Sequence, residues 1–390
     1  MLHTISGFHR IGEENAFAVL ARAGELAAKG RDIINLGIGQ PDFKTPDHIV
    51  EAAIKALRDG HHGYTPAQGI LPLREAVSRD LNRRHSVDVA PRNVVIMPGG
   101  KPTMFFAVLM FGGPGTEIMY PDPGFPIYRS MIEYIGSKPV PIALREENGF
   151  AFSAEEVLAQ ITPATRLIII NTPGNPTGGA VPTEEIEKLA AGLEKHPDVA
   201  LMSDEIYSQM LYDGREHESL LKYPSLKDRL ILLDGWSKTY AMTGWRLGFS
   251  VWPDALVEPV VRLAVNCHSC VNAPTQYAGI AALEGPQDAV HEMVRAFDKR
   301  RKAIVPALNQ LPGVTCVEPG GAFYAFPNIT GTGMSAKALQ NAMLEEAGVA
   351  TVAGTSFGIH GDGYIRYSYE NSVENIKAAI ERVGRLLTER

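Results

Sequence analysis

The sequence predicts an α/β protein in which a mostly parallel sheet is flanked by helices, with a smaller α/β domain formed by the two chain ends. Three observations carry that expectation. From about residue 46 to 285, short apolar runs alternate with helical patterns, as in a sheet covered on both faces. Several of those runs, Arg166 to Ile170 most clearly, are β-branched and bounded by turn formers, as buried parallel strands are. Residues 310 to 390 return to short strands and helices of their own, behind one long helical stretch from Pro286 to Asn309. The expected division is a large domain over 46–285 and a small domain over 1–45 and 286–390.

Each element has its own local reason. Residues 1 to 13 carry no periodicity and read as an arm or loop. Glu14 to Lys29 is helical in pattern, with Phe17, Leu20 and Ala21 on its apolar stripe and Gly30 as its stop. Ile33 to Leu36 is a short strand ending in Gly37-Ile38-Gly39-Gln40-Pro41-Asp42-Phe43. That piece holds a GxG but no third glycine opening a helix, so a dinucleotide fingerprint fails. Thr45-Pro46 is expected to cap a helix to about Arg58, and a turn-rich loop from His62 to Gly69 leads to a helix ending near Leu81. Val94 to Met97 is a strand, which Pro98-Gly99-Gly100-Lys101 turns into a helix over Pro102 to Met110. A glycine turn at a helix N-terminus offers free N–H groups to an anion, although a plain strand-to-helix turn looks the same.

Further strands are expected at Ile118 to Tyr120, Val199 to Met202, Leu230 to Leu233 and Leu247 to Trp252. Ser153 to Glu156 is a capping box, and Ala255 to Val265 is helical. In the last part, Cys316, Ala322 to Phe326, Ala350 to Val352 and Tyr364 to Tyr369 mark strands, with Ser335 and Ser372 as helix caps.

Composition narrows the function classes. At 45% hydrophobic and 21% charged the chain is an ordinary globular one. A net charge of -7 and the lack of any basic run argue against a nucleic-acid partner. No stretch approaches the roughly twenty apolar residues of a membrane span, and MLHTISGFHRIGEENAF lacks the apolar core of a signal peptide. Three cysteines make no disulfide framework in a chain of 390 residues, so a reducing, cytoplasmic setting is expected. Cys267-His268-Ser269-Cys270 has no second ligand pair. It reads as buried or interface cysteines rather than a metal or redox site, and no metal is expected.

The stretch with the most chemistry is Ser237-Lys238-Thr239-Tyr240-Ala241-Met242-Thr243-Gly244-Trp245-Arg246, just after Leu230 to Gly235. Burial at a strand end lowers a lysine's pKa and makes its amine a nucleophile toward a carbonyl. Ser237 and Arg246 add a hydroxyl and a fixed cation, a set suited to phosphate. A reactive amine beside a phosphate cradle suggests pyridoxal phosphate held as a Schiff base. The plain alternative is a lysine whose stem packs while its head reaches water.

The string SKTYAMTGWRLGF resembles the lysine signature of the class I and II aminotransferases, in the fold-type I group of pyridoxal-phosphate enzymes, and in particular the bacterial aspartate aminotransferases. LGIGQPDF, NTPGNPTG, SDEIY and YIRYS resemble further motifs of that family, in its order, so the likeness spans nearly the whole chain. It implies a fold-type I architecture with pyridoxal 5'-phosphate on Lys238. Asp204 would pair with the protonated pyridine nitrogen, Asn175 and Tyr207 would bond the ring hydroxyl, and Phe125 would stack on the ring, where Tyr or Trp is more usual. Gly100, Lys101, Ser237 and Arg246 would hold the phosphate. Arg366 would grip the substrate's α-carboxylate, Gly39 would lie against the substrate, and Glu205 would be structural. Tyr64 would cross to the neighbouring subunit's phosphate, which implies a homodimer with shared sites.

Two departures from the family pattern stand out: Gly174 replaces an asparagine, and Gly235 replaces a frequent serine. The second leaves a phosphate bond missing or replaced, worth about a kcal/mol. Lys101 has two readings, phosphate or the distal carboxylate of a dicarboxylic substrate such as aspartate or glutamate. The helix dipole already favours an anion there, which tips the expectation toward the substrate. The expected activity moves an amino group between an L-amino acid and a 2-oxo acid, with aspartate and 2-oxoglutarate as a candidate pair. The alternatives are a fold-type I lyase or synthase, or a regulator's sensor domain, for whose DNA-binding part no residues remain.

Overall fold

The computed structural model describes residues 2–12 and 14–389. Its first half runs α1 (Asn15–Ala28), β1 (Ile34–Asn35), α2 (Asp47–Arg58), α3 (Leu71–His85), β2 (Val94–Met97), α4 (Lys101–Phe111) and β3 (Glu117–Asp122). There follow α5 (Ile127–Tyr134), β4 (Lys138–Ala143), α6 (Ala154–Ala159), β5 (Thr165–Asn171), α7 (Thr183–Leu193), β6 (Ala200–Asp204), β7 (Leu230–Gly235) and β8 (Gly248–Val251). The rest is α8 (Asp254–His268), α9 (Ala273–Glu284), α10 (Asp288–Leu308), β9 (Tyr324–Ala325), α11 (Ala336–Glu345), β10 (Val349–Ala350), β11 (Val352–Ala353), β12 (Ile365–Ser368) and α12 (Val373–Thr388).

The main sheet has seven strands in the order β2-β8-β7-β6-β5-β3-β4. All pairs are parallel except those made by β8, which runs antiparallel to β2 and β7. The β-branched run works as its period of two requires: Leu167 and Ile169 enter one apolar core, Ile168 and Ile170 the other. Each such side chain contributes about 1.5–3 kcal/mol on burial. Register aligns the strand ends that matter, with Asn171 beside Asp204, Asp204 beside Leu233, and both Gly235 and Met97 opposite Gly248. One edge of the sheet therefore collects the C-terminal ends of β2, β5, β6 and β7, the usual place for a ligand in such folds.

The two chain ends meet elsewhere. β1 pairs in parallel with β10, and β11-β12-β9 form a separate antiparallel sheet that carries Arg366 opposite Val352. Ser153, Ser335 and Ser372 cap their helices through Glu156, Ala338 and Asn375 N–H groups.

Several expectations are corrected. The buried stripe of α1 is Ala16, Val19, Ala23 and Leu26, whereas Phe17, Leu20 and Ala21 are exposed. The helix packs Val19, Ala23 and Leu26 against Leu344 and Ala350. Thr45 does not cap α2. Its hydroxyl donates to the Ala241 carbonyl at 2.8 Å and accepts from Trp245, while Pro46 stands at the cap. The N-terminal arm has structure: Ser6–Arg10 is a 3-10 turn docked by Arg10 onto the Glu133 and Tyr134 carbonyls, while Met1 and Glu13 lie outside the described residues. Cys316 precedes β9 rather than lying in a strand. Cys267 is exposed and Cys270 half-buried, which excludes burial within the single chain for Cys267 but not the expected interface position.

Glu205 follows Asp204 directly but faces the other way. It receives the Ser203 and Ser219 hydroxyls and the His217 ring, at 2.9, 3.1 and 2.7 Å. Burial acts to raise its pKa, yet His217 and these hydrogen bonds outweigh that and hold it down to about 2. The resulting stability is present above pH 4.5 and lost as pH falls through about 2. Glu205→Gln should cost about 3 kcal/mol by leaving a buried pair broken. A lower urea midpoint at pH 7, with the deficit shrinking below pH 4.5, is the expected measurement.

Candidate active site

At the collected strand ends lies a cavity of about 490 Å³. Gly39, Gly100, Lys101, Phe125, Asn175, Asp204, Tyr207, Ser237, Lys238, Arg246 and Arg366 all line it, so the structure brings these expected residues together. Tyr64 is not among them. It is 95% exposed and borders a different surface hollow with His62, Cys270 and Asn272.

Lys238 follows β7 and turns its head into the cavity. Its ammonium donates to the Gly39 carbonyl and lies 5.6 Å from the Phe323 ring centre. Dehydration by the surrounding protein lowers its pKa, and the buried Glu370 carboxylate opposes that shift. Burial raises Glu370 in turn, and its Oε1 atom has no partner. Sequence reasoning missed Glu370, since an acid just after a strand carries no local signal of facing a lysine.

Asp204, at the end of β6, is 2% exposed. Its carboxylate accepts from the Tyr128 hydroxyl at 2.5 Å and the Ile206 N–H at 3.3 Å. Burial raises its pKa to about 6, against the pull of those two bonds. A carboxylate enclosed this way without a cation in hydrogen-bond reach is suited to a positively charged ligand atom.

The loop after β5 is tied to both sides. Asn171 donates to the Asp204 carbonyl and accepts the Asn175 N–H, each at 3.0 Å, and the Asn175 side chain accepts from Arg366 Nη1 at 2.9 Å. Arg366 also donates to the Gly37 carbonyl and is sandwiched by the Tyr324 and Phe357 rings, each 4.8 Å away. Its Nε is buried without a partner. The Tyr207 hydroxyl meets that of Tyr324 at 2.8 Å, and burial raises both phenols, so both keep their protons near neutrality.

The remaining side of the cavity is cationic and rich in backbone. Gly99 has φ +85°, and a Cβ there would sit 2.1 Å from Arg246 Nη2, so glycine lets the guanidinium lie against the turn that opens α4. Ser237 and the N-terminus of α4 at Gly100 complete that end. Gly235 explains its own departure. A Cβ at that position would lie 2.8 Å from Gly248 Cα in β8, so no serine hydroxyl can be presented there without the strands moving apart.

Lys101 is held by Glu14 at 2.7 Å, and its ammonium lies 5.3 Å from the Phe125 ring centre. Glu14, Tyr128 and Tyr324 are thus contributors that the sequence did not reveal. Among the described residues no His, Cys, Asp and Glu group could hold a metal ion, and no helix is long and apolar enough to cross a membrane.

A buried lysine of lowered pKa, a buried carboxylate, and the Arg246 guanidinium with Ser237 at the opening of α4, placed around one cavity, fit a cofactor with a carbonyl, a basic ring nitrogen and a phosphate. The free donor of Arg366 remains for a further anionic group. Residues 31–383 match the family model for aminotransferases of class I and II. The chain belongs to this family, whose members depend on pyridoxal 5'-phosphate, and it is an aminotransferase. An aspartate aminotransferase of Pyrococcus horikoshii is 40% identical over 93% of each chain. An aromatic-amino-acid aminotransferase of Thermococcus litoralis is 39% identical over 94% of each. Among solved structures, the aspartate aminotransferase of Thermus thermophilus with maleate superposes with a TM-score of 0.94, at 33% identity, covering 99% of this chain and 100% of that one. The lyase and sensor-domain alternatives are not favoured.

Proposed function

We propose that the protein is a transaminase of L-amino acids and 2-oxo acids in which Lys101 reads the substrate's side chain, with aspartate and glutamate among its donors. The observation that supports it most is that Lys238, Asp204 and Arg366 line one cavity together. In this reading the cofactor supplies a carbonyl for the substrate amine and a protonated ring that draws electrons from the α-carbon. Lys238 would hold it covalently, and the freed lysine amine would take the α-proton and deliver it to the former carbonyl carbon of the cofactor, acting first as base and then as acid. Asp204 keeps the ring nitrogen protonated. Asn175 and Tyr207 bond the ring hydroxyl, and Phe125 covers the ring without a polar handle of its own.

Gly100, Ser237 and Arg246 hold the phosphate. Arg366 takes the substrate's α-carboxylate, for which its unpartnered Nε is a spare donor, and Gly39 lies beside the substrate. Tyr64, exposed and remote from its own cavity, suits a role across a homodimer interface. The division into residues 46–285 and the two chain ends, and a cytoplasmic setting, belong to the same proposal.

The test is the absorbance change on adding an amino acid without an oxo acid. Full conversion to the pyridoxamine form is expected, whereas pyruvate and ammonia as products would point to a lyase. For Lys101 the check is kinetic: Lys101→Ser should raise KM for aspartate and glutamate about tenfold or more, the size of a charge-assisted contact, and hardly change alanine. An equal loss for both donors would return Lys101 to the phosphate.

A further inference from the structure

The partly exposed end of the cavity is closed by the first turn of α1. Glu14, at the helix N-cap, and Ala16 and Phe17 line it, and the Glu14 carboxylate takes Lys101 Nζ at 2.7 Å. The Phe17 and Phe125 ring centres lie 5.9 and 5.3 Å from that ammonium. A charged pair thus stands inside an otherwise apolar wall, to which Ile38 also contributes.

The Glu14 carboxylate is chemically the same group as the distal carboxylate of a dicarboxylic substrate, and it already occupies Lys101. We infer that Glu14 is a specificity-determining residue: with the pair closed the pocket takes aromatic and other neutral side chains, and a dicarboxylic substrate enters only by displacing Glu14 from Lys101. The inference rests on Lys101 reading the side chain, as proposed above. With the pair closed, no unpaired cation faces an apolar substrate, which would otherwise be penalised. The Lys101 and Glu14 side chains are 44% and 26% exposed, so the pair is weak enough to exchange. Glu14 also has somewhere to go. It makes no side-chain cap bond to α1, and a displaced carboxylate at that position is favoured by the helix N-terminus.

The experiment uses the holoenzyme and two unreactive ligands, maleate for the dicarboxylic class and 3-phenylpropanoate for the aromatic one, with dissociation constants from calorimetry. In Glu14→Gln, and again in Glu14→Ala, the ratio of the two constants should move about tenfold toward maleate, because its competitor for Lys101 is gone. In Lys101→Met the ratio should move toward 3-phenylpropanoate, and adding Glu14→Gln to that variant should bring no return. A ratio that stays put in both Glu14 variants while Lys101→Met shifts it overturns the role of Glu14 alone. A ratio that Lys101→Met leaves unchanged overturns the side-chain reading of Lys101 and the inference with it.

Discussion

Lys238→Ala is expected to lose the visible absorbance of the lysine-bound cofactor and nearly all turnover, with the fold intact. Two separate contributions disappear together. The covalent hold on the cofactor goes, and so does the group proposed to move the α-proton, which alone is worth about 10²–10⁴ in rate. The fold has little reason to fail. The lysine head makes one hydrogen bond, to the Gly39 carbonyl, and its removal takes a dehydrated cation out of the protein. Glu370 loses an opposite charge by the change, but burial already favours its neutral form, so it can take up a proton rather than remain an unpaired anion. Absorbance near the wild-type value, or a borohydride-reducible adduct on another lysine, would falsify the assignment. A cooperative thermal transition close to that of the wild-type apoprotein is the accompanying control.

What the sequence made legible follows from where the chemistry sits. Asp204, Lys238 and Arg366 lie on or just after apolar strands, so hydrophobic runs pointed to the same positions that the motifs did. Parallel order was legible for a related reason: a run such as Leu167 to Ile170, apolar at every position, has to be covered on both faces. α9 escaped by the same logic turned round. Ala273, Pro274, Thr275, Gln276, Ala278, Gly279 and Ala282 are all buried, and a helix enclosed on nearly every side shows no amphipathic period. α1 is apolar on two faces, and periodicity alone does not distinguish the stripe of Phe17, Leu20 and Ala21 from the buried one of Ala16, Val19, Ala23 and Leu26. Contacts between distant segments left no local trace. Tyr128 reaches Asp204 from 76 positions away, and Glu14 reaches Lys101 from 87.

Asp204→Asn or Asp204→Ala should slow α-proton removal by about a hundredfold or more, close to 2.7 kcal/mol in the barrier, while cofactor affinity falls much less. The difference between the two effects is the signature of the proposed role. A carboxylate beside the ring nitrogen matters most when negative charge develops at the α-carbon, so its loss falls on the transition state and not on the resting complex. Single-turnover rates with α-protonated and α-deuterated substrate measure the step directly. Rates within about threefold of wild type, well under 1 kcal/mol, would remove Asp204 from the mechanism. A second consequence needs no turnover. In the apoprotein burial raises the Asp204 pKa from 3.8 to about 6, so the folded state binds this proton more tightly than the unfolded chain does. Ionising the group therefore weakens folding as pH rises from about 4 to 6, by roughly 3 kcal/mol at the upper end. Apo Asp204→Asn, which cannot ionise and can still accept the Tyr128 hydrogen bond, should be more stable than wild-type apoprotein at pH 7 and no different below pH 4. With the cofactor bound the difference should shrink, because a cationic ring nitrogen then offsets part of the cost of the ionised carboxylate. An Asn variant less stable than wild type in both states would mean that Asp204 is paired within the protein and is not reserved for a ligand.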